Sequence, residues 1–296
     1  MKGHISRWLA VVLVLLGASS YGLLSPFIKK AYAAGWDVVQ VTVSQVTVGT
    51  ALLWVFVLIT PKAWSNPFRE PWIRLSLVGI FGLSLTTIFL NTSLAELDAS
   101  LAIVLLFQFT WITILADSVS RRTWPKPYQW LAVLLVIVGT ALSVRLGDVR
   151  LAEAGWKGIA FGLLSAVTYS IFLFYTGKIK TSLHFVLKSA IMQTAALPVM
   201  FLLYPPQYLV QPAAGGLLLW GLLLGMLGQV FPTVFFNIGI PRIGSSLAAM
   251  LASVELPVAV VGAFVLLGEK VLMSQWIGMA LILAGIVVSE LKGRTD

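Results

Sequence analysis

The stretch from Gly244 to Leu291, GSSLAAMLASVELPVAVVGAFVLLGEKVLMSQWIGMALILAGIVVSEL, decides the fold. It holds two apolar runs, at about 244–267 and 273–291, parted by the polar turn Gly268-Glu269-Lys270. A helix needs roughly 20 apolar residues to cross the hydrocarbon core of a bilayer, so each run reads as one span. Working outward, eight more runs lie at about 7–30, 38–60, 72–93, 99–117, 128–145, 155–177, 183–204 and 217–237. Ten spans joined by short loops leave no room for a separate soluble domain. The first run is too long for a secretory h-region and has no clear small-residue cleavage site, so it reads as a retained helix.

Composition agrees. Of 296 residues, 59% are hydrophobic and only 10% charged, with a mean hydropathy of +0.96. A soluble domain is about half apolar and a quarter charged, which excludes a cytosolic enzyme or a disordered scaffold. There is no cysteine, and His4 and His184 are the only histidines; no metal centre, iron–sulfur cluster or other cofactor is expected. The net charge of +9 belongs to loops at the membrane face rather than to nucleic acid, because no basic stripe with interleaved aromatics occurs. If the N-terminus is cytoplasmic, the inner side holds 14 Lys and Arg and the outer side 6. The excess of basic residues in cytoplasmic loops therefore predicts both termini inside a cell (inner or plasma) membrane.

The chain repeats itself. A slide of 148 residues matches Trp8 with Trp156, Tyr21 with Tyr169 and Gln45 with Gln193. A slide of 146 matches Gly79 with Gly225, Gly82 with Gly228, Asn91 with Asn237, Trp130 with Trp276 and Gly139 with Gly285. The two-residue slip falls where the loop 61–71 faces 204–216, and length changes belong in loops. The expected domains are thus 1–148 and 149–296, five spans each. An odd number of spans forces the second half to enter the membrane the other way up. The predicted fold class is an all-α polytopic membrane protein of ten transmembrane helices in two inverted five-helix repeats. Such repeats characterise secondary transporters, with a binding site near the midplane where the halves meet.

Ser245-Ser246-Leu247 through Glu255, then Gly268-Glu269-Lys270, Gly278 and Ala280–Gly285, resembles an EamA-type repeat of the drug/metabolite transporter superfamily. Two copies cover nearly the whole chain. The resemblance implies a ten-helix carrier that exports amino acids or other small metabolites. Where many relatives have Glu followed by Pro in the ninth span, Leu256 intervenes here between Glu255 and Pro257. Thr123 stands where the repeat would put a counterpart of Glu269, which assigns Glu269 to local structure.

Polar groups within spans are costly unless they face a cavity or another helix, so each is a functional candidate. Glu255 is the deepest carboxylate, at an insertion cost of roughly 2.5–3.5 kcal/mol. It is expected to couple transport to protons or to pair with a substrate amine, or else to cap the carbonyl that Pro257 frees. Tyr21 and Tyr169, Gln45 and Gln193, and Asn91 and Asn237 are repeat-related pairs that a two-fold axis can bring together; Gln229 and Thr233 share a face with Asn237. Gln108 and Trp111 lie one turn apart in the fourth span. The expected cavity lining is Tyr21, Gln45, Asn91, Gln108, Trp111, Tyr169, Gln193, Gln229 and Asn237. The alternative role for these amides is hydrogen bonding between helices. Lys188, one turn from His184, is expected to snorkel to the interface, with contact to an anionic substrate as the other reading. Trp8, Trp36, Trp64, Trp72, Trp124, Trp130, Trp156 and Trp276 fall at span ends as belt anchors.

The sequence has no Gly-x-Ser-x-Gly, no phosphate-binding Gly-Lys-Ser/Thr loop and no His-Glu-x-x-His. An enzyme is therefore not expected, and a proton or solute gradient would drive transport. The expected partners are a small-molecule substrate such as an amino acid, the lipid bilayer and protons; a monomer suffices. The nearest alternative is a proton-coupled exporter of amines or cationic drugs. A membrane enzyme would need a cluster that the scattered Asp98, Asp117, His184 and Lys188 do not form, and a channel would lack saturable counterflow.

Overall fold

A computed structural model describes residues 6–97, 99–143, 155–207, 214–268 and 270–292. The expected cytoplasmic termini, the boundary between 148 and 149, Tyr208 of the outer loop, His4, Asp98 and Glu269 lie outside these residues.

The described chain is helical: α1 (Arg7–Ala33), α2 (Val38–Ile59), α3 (Trp72–Val78), α4 (Leu85–Glu96), α5 (Ala99–Leu106), α6 (Phe109–Arg121), α7 (Pro127–Ser143), α8 (Trp156–Lys178), α9 (Phe185–Leu203), α10 (Ala214–Gly225), α11 (Phe231–Ile243), α12 (Ser245–Ala252), α13 (Glu255–Leu267) and α14 (Met273–Lys292). Eight segments are long and apolar enough to cross a membrane: Arg7–Ala33, Val38–Ile59, Trp72–Ser93, Ala102–Arg121, Trp156–Lys178, Phe185–Leu203, Gly215–Ile243 and Ser245–Leu267. Pro127–Ser143 and Met273–Ser289, at the fifth and tenth places, are apolar but shorter. Local chemistry sets several ends. Asp37 and Gln40 form a reciprocal capping box at the start of α2, while α11 and α13 stop at Gly244 and Gly268, both at positive φ.

Four segments that would be single helices by hydropathy are interrupted. A π turn at Gly79–Ser84 joins α3 to α4, and a second at Met226–Val230 joins α10 to α11. The fourth segment breaks at Phe107–Gln108 between α5 and α6, and the ninth at Ser253–Val254 between α12 and α13. Shifted by 146 residues, each interruption falls on its counterpart in the other half. Pro257 therefore occupies the first turn of α13, where its missing N–H costs little.

Packing is reciprocal between halves. α1 packs on α11 and α13, as α8 packs on α4, α5 and α6; α2 meets α9, and α7 meets α14. Contacts recur residue by residue. Gly82 lies against Phe172 and Gly228 against Leu24, its counterpart. Ser93 donates to the carbonyl of Gly158 (2.9 Å), while a Cβ on Gly239 would be 2.8 Å from the carbonyl of Ala10. Gly139 and Gly278 let α7 and α14 touch backbone to backbone, where a Cβ on either would come within 2.6 Å of the other's carbonyl oxygen.

One continuous core includes Phe109, Tyr169, Phe172, Phe236 and Ile282. The outer faces carry large apolar side chains such as Leu58, Ile59, Leu202, Leu219 and Val265, and Trp8, Trp64, Trp124 and Trp156 are exposed at helix ends. With the span lengths, this apolar exterior makes the chain a multi-pass membrane protein.

Candidate functional site

The two breaks in the fourth and ninth segments deliver polar side chains to the middle of the bundle. At the ninth, the chain turns through Ser253 and Val254 and restarts with Glu255 as the first residue of α13. The carbonyl of Ser253 accepts from the N–H of Leu256 (3.4 Å), so Glu255 is not its cap. Among the described residues, the Glu255 carboxylate has no hydrogen-bonding or ion-pair partner, yet it lies within electrostatic range of the Tyr21 and Tyr169 hydroxyls. Glu255 and Tyr21 are each half-buried.

Aromatic rings wall this region. Tyr169 meets Phe109 edge to face (4.7 Å between centroids) and stacks on Phe172 (6.1 Å), while Tyr21 leans on Phe236 (6.1 Å). Among the described residues, the buried Tyr169 hydroxyl has no hydrogen-bond partner. A lone carboxylate beside aromatic faces suits an organic cation or the ammonium of a zwitterion. At the other break, the Trp111 indole N–H donates to Gln108 Oε1 (2.8 Å) and Gln108 Nε2 donates to the Val104 carbonyl (2.9 Å). Both side chains are half-buried.

A second polar group joins α9 to the eighth segment. Gln193 Nε2 donates to Gln229 Oε1, the Thr233 hydroxyl to the Gln229 carbonyl, and Asn237 Nδ2 to Ser189 Oγ (2.8 Å). All four side chains at 193, 229, 233 and 237 are buried, and Asn237 Oδ1 has no partner. Gln45 sits against Gly228 in the second π turn and is half-buried. Asn91 is half-buried on α4, and among the described residues no hydrogen bond joins it to Asn237, which bonds Ser189 instead. The structure thus brings Tyr21, Tyr169 and Glu255 together, Gln193 with Gln229, and Gln108 with Trp111.

Two residues depart from what the sequence suggests. Lys188 does not snorkel: it is 3% exposed, and Nζ reaches only the Thr176 carbonyl at 3.4 Å. It faces α8, whose Thr176 carbonyl takes its one hydrogen bond among the described residues. Asp117 is a buried hub at the end of α6. Its carboxylate takes Arg121 (3.0 Å), Lys178 of α8 (3.3 Å) and the Ser246 hydroxyl of α12 (2.9 Å). The spacing from Asp117 to Arg121 was its only sequence signal.

Outside the spans, Glu70 links the loop before α3 to the loop before α9, accepting from Thr181 Oγ1 (2.9 Å), the Ser182 N–H (3.2 Å) and the Ser182 hydroxyl. The Ser182 and Thr181 hydroxyls hold its carboxyl below the usual range. Burial, then the nearby Lys62 charge, pushes the His184 imidazole down.

A bundle of interrupted helices around a buried polar centre is the build of a membrane transporter. A model of the EamA-like transporter family matches residues 8–145 and again 156–291. The chain belongs to that family, within the drug/metabolite transporter superfamily, and its members are membrane transporters of small molecules. No curated protein matches. A solved structure described only as the crystal structure of a protein shares 17% identity and superimposes with a TM-score of 0.73, over 96% of this chain and 99% of the other. At that identity the likeness speaks for the fold alone.

Proposed function

We propose that this protein is a secondary transporter of the cell's inner or plasma membrane that exports small metabolites, amino acids first among them, by alternating access. Ten helices form two inverted halves, 1–148 and 149–296, with both termini cytoplasmic and one chain sufficient. The substrate sits between the halves, in contact with Tyr21, Gln45, Asn91, Gln108, Trp111, Tyr169, Gln193, Gln229 and Asn237. Glu255 couples its movement to protons. The observation that carries this reading is the recurrence of both helix interruptions at repeat-related positions, around an unpaired carboxylate in the membrane interior. Irregular backbone at membrane depth is tolerated where it lines a cavity, and discontinuous helices form the midplane sites of many transporters.

A second reading has a specific observation behind it. Glu255 flanked by Tyr21 and Tyr169 offers a negative charge to an organic cation, so an exporter of amines that spends the proton gradient fits the same site.

Counterflow in proteoliposomes separates the two. Vesicles loaded with unlabelled phenylalanine, leucine or phenethylamine are tested for transient uptake of the labelled solute. Accumulation with amino acids supports the first reading, and accumulation with the amine alone supports the second. Alanine substitutions across the proposed lining that leave transport intact, with folding preserved, reject the site assignment. Absence of counterflow for all three solutes from a folded preparation rejects both substrate readings.

A further inference from the structure

Among the described residues, Lys188 is a charge without a counter-charge. It is 3% exposed, and no carboxylate pairs with it among the described residues; its one bond is the long 3.4 Å contact to the Thr176 carbonyl. An ammonium has three donors, so most of its hydrogen-bonding capacity is unused. The side chain of that same Thr176 is fully buried, and among the described residues its hydroxyl has no partner. A buried hydroxyl without a partner and a buried ammonium with one long bond are expensive to keep, and an ionised lysine within a span marks an ion or substrate path.

Position gives the pair a direction. Along α8, Tyr169 and Thr176 are seven residues apart, about 10 Å at 1.5 Å per residue. Lys178, which closes the Asp117 cluster, follows two residues later. The order from the end of α8 inward is therefore the Asp117 cluster, then Lys188 with Thr176, then the aromatic-walled Glu255.

We propose that Lys188 and the Thr176 hydroxyl form an anion subsite that takes the carboxylate of a small organic acid or amino acid, on the side of the central cavity where α8 ends. This rests on the transporter reading for its purpose but not for its test. With Glu255 taking positive charge and Lys188 negative charge, a solute entering from that end meets Lys188 first.

The test uses the full chain in detergent and three probes that share a phenyl ring. They are 3-phenylpropionate (carboxylate only), phenethylamine (amine only) and phenylalanine (both); inorganic phosphate is the fourth arm. In the wild type, 3-phenylpropionate raises the thermal unfolding temperature. K188M weakens its apparent affinity about tenfold or more while leaving the phenethylamine shift in place, and K188R keeps the carboxylate response. K188Q repeats the comparison should the methionine variant fold poorly. The proposal is overturned if 3-phenylpropionate gives no shift in the wild type, or the same shift in K188M. A phosphate shift equal to that of 3-phenylpropionate also overturns it, because the site would then be a general anion site. In vesicles, K188M should erase the preference for phenylalanine over phenethylamine. A carboxylate shift that depends on Lys188, with no counterflow of phenylalanine, leucine or phenethylamine, rejects the proposed substrates and leaves the subsite standing.

Discussion

Replacing Gly22 by alanine tests how the bundle places Glu255. Gly22 follows Tyr21 on α1, and a Cβ there would lie 2.4 Å from the Glu255 carbonyl oxygen and 2.9–3.0 Å from Val258. Contacts below 3.0 Å are essentially never seen, so α1 and α13 must separate by at least 0.6 Å (3.0 minus 2.4). The nearest obstacle is backbone, which cannot rotate aside as a side chain could. Overpacking of this kind costs about 1–3 kcal/mol, and alanine in a helix interior returns up to about 1 kcal/mol. The net expectation is destabilisation by about 1–2 kcal/mol. The control is G215A, at a helical glycine with open space around it, which gains the propensity without the clash. Thermal unfolding in detergent and counterflow are read side by side. G22A should lower the unfolding temperature and slow transport by shifting Glu255 relative to Tyr21, and adding V258A should restore only part of each. If G22A matches G215A in both assays, the close contact that positions Glu255 does not exist.

Three other outcomes are expected. E255Q should abolish pH-driven accumulation while sparing exchange; coupling that survives the substitution removes Glu255 from that role. D117A should cost about 2–3 kcal/mol in unfolding titrations, because it strips a buried hub of its charged hydrogen bonds. R121A should cost under about 1 kcal/mol, since that side chain is 59% exposed and its pairing is screened; equal costs would mean Asp117 is not the hub. The lowered carboxyl of Glu70 stabilises the fold above the unfolded carboxylate range and loses that contribution as pH falls through its lower folded value. E70Q should therefore flatten stability against pH below about 5, and an unchanged slope assigns the acid sensitivity elsewhere.

Much of the fold was legible because a bilayer makes hydropathy a length measurement, and because the repeat registers at 146 and 148 residues rest on rare residue types. Gln108 and Trp111, one turn apart and read as cavity-lining, bond to each other, and Gln193, read as the partner of Gln45, bonds to Gln229, because side-chain pairing depends on helix rotation that spacing alone does not give. The π turns were not legible, since nothing in Gly79–Ser84 forces them; tight packing of Gly79 on the Met192 carbonyl and Gly82 on Phe172 goes with them. Asp117 looked like a residue at a span end because its partners arrive from α8 and α12, far away in sequence. Lys188 misled for the opposite reason. Its position near a helix start suggests an interfacial lysine, and only the placement of α8 shows that the interface is out of reach.

Each π turn holds one residue more than an α-helical turn would, and a residue is worth about 100° of rotation at 3.6 per turn. Deleting a single residue from Gly79–Ser84 would therefore leave a straighter helix whose far half points elsewhere. Thr86 would swing off Thr168, and Ser93 off Gly158. The same loss in Met226–Val230 would carry Asn237 away from Ser189. Loops in this protein can absorb insertions and deletions, but at these two places the chain is phase-locked, and sequence length itself becomes a structural parameter.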